Sequence, residues 1–179
     1  MISGRVWKFG DLITTDSMLP GPASTLSENE QIRWIFQANR PNWVNEVRAG
    51  DIIVAGRSFG VGSGRPAARS LRNIGVACLI AESITRLFFR NAVNWGLLAL
   101  ECTGVSAAFE EGQIAEVSVA DWTIRNATTG AVLKITPIPE TLITLMQSGG
   151  IFPLLEREGM VGPRPDPPGT STSSAGVES

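Results

Sequence analysis

The 179-residue sequence predicts an α/β domain with a mixed, partly parallel central sheet. First, the middle of the chain alternates short apolar segments with helical ones, which is typical of parallel strands joined by crossover helices. Second, three short segments in the region after residue 113 alternate in polarity or are separated by turn residues, as antiparallel strands are. Third, a chain of this length buries about 70% of its unfolded surface and needs no disulfides to build a core.

The N-terminal elements are a strand and a capped helix. Residues 5–9 favour a strand, and the Pro-Gly-Pro at residues 20–22 stops a regular ladder and permits a sharp bend. Ser27 and Glu30 have the spacing of a capping box, so we expect a helix to begin after Ser27 and to end at residues 39–41. One face of this helix should carry Ile32, Ile35 and Phe36.

Five elements follow in the centre of the chain. We expect a strand over 51–55, a helix over 66–73, a strand over 75–81, a helix over 83–94 and a strand over 97–101. Pro66 suits the first turn of a helix because its missing N–H needs no partner there. Ser83 is the expected N-cap of the second helix, and Gly96 lies just past its end.

The C-terminal part of the domain is predicted to be antiparallel. Three strands are expected over 115–119, 122–126 and 132–136, followed by a helix from Pro139 to Gly149. From residue 162 onward Pro, Gly, Ser and Thr predominate, with hardly any apolar residue. We therefore expect one domain over residues 1–161 and a disordered tail over residues 162–179.

The composition excludes several kinds of chemistry. The chain has no His, no Tyr and two Cys, which rules out a Ser-His-Asp triad, a Cys-His dyad and a His-ligated zinc. Cys78 and Cys102 lie in apolar stretches and are expected to be buried thiols, too few to hold an iron–sulfur cluster. The net charge of −2 gives no indication of nucleic-acid binding, and no apolar run approaches the ~20 residues of a membrane span. We expect a cytoplasmic protein without a metal site of its own.

The densest functional signal is the glycine-rich segment 56–66, which lies between a predicted strand and a predicted helix. Gly62 and Gly64 let the backbone approach a ligand closely, and the free amides of the following helix favour an anion. Arg65 adds a planar cation that matches a carboxylate or a phosphate, and Ser63 places one hydroxyl in the same pocket.

Three interpretations of this segment compete. A dinucleotide or phosphate loop is disfavoured because Arg65 stands where the third glycine of G-x-G-x-x-G belongs and no G-K-S/T follows. A purely structural turn is the second interpretation. The third is a carboxylate site in which Ser63 acts on the substrate. The residues alone do not separate carboxylate from phosphate.

Six stretches resemble the small subunit of isopropylmalate isomerase, the stand-alone swivelling domain of the aconitase superfamily. They are GRVWKFGD with TTD within 4–16, GDIIVAG at 50–56, FGVGSGR at 59–65, IAES at 80–83, LFFRNAVNWGL at 87–97 and SGGIFPLLE at 148–156. The resemblance covers residues 2–160 in the family's order. It implies a swivelling β/β/α fold and leucine-pathway chemistry.

The resemblance also implies a division of roles between two chains. A large partner subunit holds a four-iron, four-sulfur cluster, and the small subunit closes the cleft over a dicarboxylic acid substrate. Carried over by residue, Ser63 is the base that removes the C–H proton and Arg65 holds a substrate carboxylate beside Gly62 and Gly64. Thr15 and Asp16 match a T-D motif that lines the cleft.

The sequence departs from the family in two places. The motif G-S-S-R-E-H is here Gly62-Ser63-Gly64-Arg65-Pro66-Ala67, so the second serine, the glutamate and the histidine are missing. The loop that contacts the distal group of the substrate carries small residues instead of Arg or an aromatic ring: Pro22, Ala23, Ser24 and Thr25. These changes favour a small or mildly polar distal group, as in a methylmalate-type acid. The alternative is a non-catalytic binding or regulatory module that kept the swivelling fold.

Overall fold

A seven-stranded mixed sheet forms the centre of the computed structural model, which describes residues 1–162. The predicted tail lies outside these residues apart from its first residue, Gly162. The strands are β1 Ile2–Lys8, β2 Ile52–Ala55, β3 Cys78–Ala81, β4 Ala99–Glu101, β5 Ile114–Ser118, β6 Thr123–Asn126 and β7 Val132–Lys134. Their order in the sheet is β4-β3-β2-β1-β5-β6-β7.

The sheet has a parallel half and an antiparallel half that meet at β1. Strands β1 to β4 pair in parallel, with Val6 opposite Ile52 and Ile52 opposite Cys78. Strands β5, β6 and β7 pair antiparallel, and β5 also pairs antiparallel with β1. The mixed, partly parallel sheet predicted from the sequence is therefore confirmed, and all the carboxyl ends of the parallel strands lie along one edge.

Eight α-helices accompany the sheet in the described part of the chain. They are α1 Thr15–Met18, α2 Glu28–Ile32, α3 Trp43–Glu46, α4 Ala67–Ile74, α5 Arg86–Trp95, α6 Val105–Ala108, α7 Glu140–Gln147 and α8 Ile151–Arg157. A 3-10 turn occupies Gly21–Thr25. None of these helices combines the length and the apolarity that crossing a bilayer demands.

Alternating strand residues feed two hydrophobic clusters, because successive side chains of a strand point to opposite faces. On one face Ile53 and Leu79 pack with Leu71 of α4. On the other face Ile52 and Ile80 join an apolar cluster that includes the antiparallel strands and α7. The parallel strands are covered on both sides, which explains why their sequences are continuously apolar.

Two helix boundaries differ from the sequence prediction. The capping box of Ser27 and Glu30 is present, but α2 ends at Ile32 instead of residues 39–41. Phe36 takes a left-handed backbone, and its N–H donates to the carbonyl of Met18 at 2.9 Å. Because the Phe36 amide bonds to Met18, it is not available to continue the hydrogen-bonding pattern of α2. The N-cap of α5 is Thr85, whose hydroxyl accepts from the Phe88 amide, so the prediction of Ser83 was wrong.

Asp51 is a buried carboxylate at the start of β2. One of its oxygens accepts hydrogen bonds from Arg5 at 2.8 Å, from the Trp7 indole at 2.7 Å and from the Arg48 amide at 2.9 Å. Burial raises the pKa of Asp51, but these three donors outweigh it and hold the pKa below its ordinary value. The carboxylate joins β1 to the turn before β2.

Replacing Asp51 by Asn should lower the free energy of unfolding by about 1–3 kcal/mol at pH 7, because three donors lose a charged acceptor. A folded-state pKa below the unfolded one gives stability that is present above the unfolded pKa and lost as the pH falls through the folded one. Urea unfolding of both proteins at neutral pH and in acid measures this. A difference that stays constant below pH 4 would contradict the assignment.

Candidate functional site

Loops from three neighbouring parallel strands meet at the carboxyl edge of the sheet. The loop after β2, residues 56–66, is held on one side by the loop after β1. The Gly60 amide donates to the Ile13 carbonyl at 2.7 Å, and the Thr15 amide donates to the Val61 carbonyl at 2.8 Å. Ligands of open parallel sheets bind at such an edge.

The loop after β3 holds the other side of the same segment. The Phe59 amide donates to the Ser83 carbonyl at 3.0 Å, and the Ser58 amide donates to the Ser83 hydroxyl at 2.9 Å. The Thr85 hydroxyl donates to the Gly60 carbonyl at 2.7 Å. Ser83 therefore fixes the glycine-rich loop from the side. This leaves residues 62–65 as its projecting tip.

The tip exposes backbone donors to solvent. Gly62, Ser63 and Gly64 are exposed, and their amides have no acceptor among residues 1–162. Helix α4 begins just after the tip, with Pro66 as its N-cap and no side chain capping its first turn. Free amides beside a helix N-terminus favour an anion. Ser63 does not cap the helix.

Arg65 is held by three polar contacts. Its Nη1 donates to the Leu19 carbonyl at 2.8 Å, its Nε donates to the Ser63 hydroxyl at 3.1 Å, and its Nη2 lies 2.5 Å from a carboxylate oxygen of Asp16. These three contacts use three of the five guanidinium N–H groups. Arg65 keeps donors for a ligand carboxylate.

Thr15 lies beneath the tip. It is 1% exposed, and its hydroxyl has no hydrogen-bond partner among the described residues. A Cβ built on Gly62 would lie 2.4 Å from this hydroxyl oxygen. An unsatisfied buried hydroxyl costs about 1–3 kcal/mol. Thr15 therefore lies against the backbone of the loop, and Asp16 lies against the guanidinium of Arg65.

The loop expected to contact the distal group of the substrate lies beside Arg65. A Cβ on Gly21 would lie 3.5 Å from both terminal nitrogens of that guanidinium. Pro22 and Thr25 are exposed, whereas Ala23 is buried in the core. The hydroxyls of Ser24 and Thr25 donate to the carbonyls of Gly21 and Pro22. The segment is a short 3-10 turn tied to itself.

Two features of the site were missed by sequence reasoning. The Leu19 carbonyl orients Arg65 across 46 residues of sequence, and no local pattern marks a backbone acceptor. The Asn91 amide of α5 donates to the Arg65 carbonyl at 3.4 Å. No local pattern marks this contact either, because the fold brings residues 65 and 91 together.

The residues of this chain do not fit an iron–sulfur cluster. Burial raises the pKa of the Cys78 thiol, and burial together with Glu82 raises that of Cys102 to about 11, so neither is a ready thiolate. Within residues 1–162 no three His, Cys, Asp or Glu side chains form a metal-binding group.

Comparison with known proteins identifies the family. The model of the aconitase C-terminal domain matches residues 24–104. The 3-isopropylmalate dehydratase small subunit 1 of Methanopyrus kandleri is 40% identical over 89% of this chain and 95% of its own length. The chain belongs to the family of 3-isopropylmalate dehydratase small subunits.

Two further relatives of this small-subunit family support the assignment. The isopropylmalate/citramalate isomerase small subunit of Methanocaldococcus jannaschii is 40% identical over 88% of the chain and 95% of its own length. The crystal structure of 3-isopropylmalate dehydratase from the same organism superposes with a TM-score of 0.82 at 30% identity, covering 89% of this chain and 95% of the other. The swivelling-domain fold implied by the resemblance is therefore confirmed.

The two glycines of the tip should differ sharply in their tolerance of a side chain. Gly62 has a φ of +127° and a Cβ there meets the Thr15 hydroxyl, so Gly62→Ala should cost about 2–4 kcal/mol of folding free energy. A Cβ on Gly64 would lie 3.8 Å from Leu87, so Gly64→Ser should fold like the wild type. Thermal unfolding of both variants tests this pair. Equal Tm values would show that the loop geometry is wrong.

Proposed function

We propose that this chain is the catalytic-loop subunit of a heteromeric hydro-lyase that acts on a 2-hydroxy dicarboxylic acid. The substrate is 2-isopropylmalate or a methylmalate-type acid, and the partner is a large subunit that completes the cleft. The proposal rests on one observation above all. Ser63 and Arg65 share a loop tip with free amides, directly before an uncapped helix.

Each residue of the tip has a defined role in this proposal. Arg65 and the amides of Gly62 and Gly64 bind a substrate carboxylate, and Asp16 orients the guanidinium. Thr15 packs against Gly62 on the buried side of the tip. Residues 22–25 border the distal group of the substrate, where the absence of Arg and of aromatic rings leaves space for a short alkyl group.

The chemistry assigned to Ser63 is removal of a proton from carbon. The Ser63 alkoxide takes the C–H proton, the C–H electron pair forms the new double bond, and the hydroxyl group leaves from the adjacent carbon. A four-iron cluster in the large subunit would supply the Lewis acid for that hydroxyl. An alkoxide needs stabilisation, which Arg65 at 3.1 Å and the neighbouring amides provide.

The test is reconstitution of this chain with the large subunit encoded in the same genome. We expect each chain alone to be inactive and the pair to form the unsaturated acid from 2-isopropylmalate or citramalate. The ultraviolet absorbance of the unsaturated acid measures the reaction. Comparing the kcat/KM values of these two acids identifies the preferred distal group. Full activity of the isolated chain would contradict the proposal. So would a correctly assembled, cluster-loaded pair that is inactive towards both acids.

A further inference from the structure

The Thr15 hydroxyl makes no hydrogen bond within residues 1–162 of the free chain. Thr15 is buried, and a Cβ built on Gly62 would lie 2.4 Å from its Oγ1. A valine has nearly the same shape and would leave no polar atom unsatisfied. Packing in this conformation therefore does not account for threonine at this position.

Helix α1 contacts the loop tip at two points. Thr15 lies under Gly62, and the next residue, Asp16, pairs with Arg65. The Thr15 amide also donates to the Val61 carbonyl, so the start of the helix is fixed to the base of the tip. A shift of Arg65 on binding a ligand would also move the peptide groups near the Thr15 hydroxyl, because residues 62–65 are consecutive.

The tip has backbone groups that can meet this hydroxyl. The amides of Gly62 and Ser63 have no acceptor in the described chain, and glycine permits the peptide between them to rotate. Rotation of this peptide also moves Ser63, because Ser63 follows Gly62 directly. A hydrogen bond from Thr15 to this peptide would restrict the position of the serine hydroxyl.

We propose that Thr15 is a positioning residue for Ser63. When a substrate carboxylate binds Arg65, which stays paired with Asp16, the loop tip shifts and the Thr15 hydroxyl bonds to the Gly62-Ser63 peptide. Ser63 is then held for proton removal. Thr15 acts through the backbone and does not contact the substrate. This inference rests on the proposed function of Ser63.

Two substitutions separate the hydroxyl from the shape of the side chain. Thr15→Val keeps the shape and removes the hydroxyl, whereas Thr15→Ser keeps the hydroxyl and removes a methyl group. In the isolated chain we expect Thr15→Val to be at least as stable as wild type to urea and Thr15→Ser to be slightly less stable. In the reconstituted enzyme we expect Thr15→Val to lower kcat about tenfold or more with KM nearly unchanged, and Thr15→Ser to retain kcat.

Three results overturn the inference. A loss of stability in isolated Thr15→Val would show that the hydroxyl already has a partner in the free chain. Wild-type kcat in Thr15→Val, or a loss of kcat shared by Thr15→Ser, would show that the hydroxyl does not position Ser63. If the wild-type pair does not dehydrate either acid, the proposed function fails by that measurement. The urea comparison needs no substrate and still decides whether Thr15 is unsatisfied in the free chain.

Discussion

Replacing Ser63 by Ala should lower kcat of the reconstituted enzyme by about 10³-fold or more, because no other group at the loop tip can accept the proton. The KM should change little, since Arg65 and the backbone amides still hold the carboxylate. Folding should also be unaffected. Ser63 is exposed, and among residues 1–162 its hydroxyl makes a single hydrogen bond, which it accepts from Arg65. Steady-state kinetics on the purified pair measures both constants.

The matched control is Ser118→Ala in the antiparallel half of the sheet. Ser118 also makes side-chain hydrogen bonds, but to Asp121, far along the chain from the loop tip. This variant should keep full activity, and size-exclusion chromatography should show both variants assembled with the large subunit. A Ser63→Ala enzyme that keeps most of its kcat would favour the non-catalytic binding module.

Replacing Arg65 by Lys should lower kcat/KM by about 10²-fold or more. A lysine keeps the charge but loses the planar fork that binds Asp16, Leu19 and a carboxylate together. The Ser63 hydroxyl also loses its neighbouring donor, so kcat should fall as KM rises. Measurement of both constants with 2-isopropylmalate and citramalate shows how the loss divides between binding and chemistry.

The control for this variant is Arg125→Lys. Arg125 forms an ion pair with Glu116 at 2.7 Å on the surface of β6, and such exposed pairs contribute little to stability. It should leave kcat/KM unchanged. If Arg65→Lys behaves like Arg125→Lys, Arg65 does not bind the substrate.

Local signals in the sequence located most elements, and tertiary contacts decided where some of them end. The Ser27-Glu30 capping box correctly marked the start of α2, because a cap depends on residues three apart. The end of α2 depends on the hydrogen bond between Phe36 and Met18, which no local pattern encodes. The four-residue helix α6 was missed for a similar reason, since Glu82 accepts the amides of Gly104 and Ser106 from far along the chain.

The candidate site shows the same limit. The glycines, Ser63 and Arg65 are neighbours in sequence, so their chemistry was visible before the fold was known. The contacts of Arg65 with Asp16 and Leu19 join loops almost fifty residues apart. The unsatisfied hydroxyl of Thr15 is equally invisible in sequence, because it depends on which backbone lies above it.

The two-sided attachment of the glycine-rich loop has a consequence for protein engineering. Hydrogen bonds from the β1 and β3 loops fix residues 58–61, whereas residues 62–65 contribute little to the core. The tip therefore projects from a base that the neighbouring loops hold in place. A side chain at Gly64 can therefore change the lining of the tip without re-optimising the fold, provided that Gly62 is kept above Thr15 and that Ser63 and Arg65 are retained.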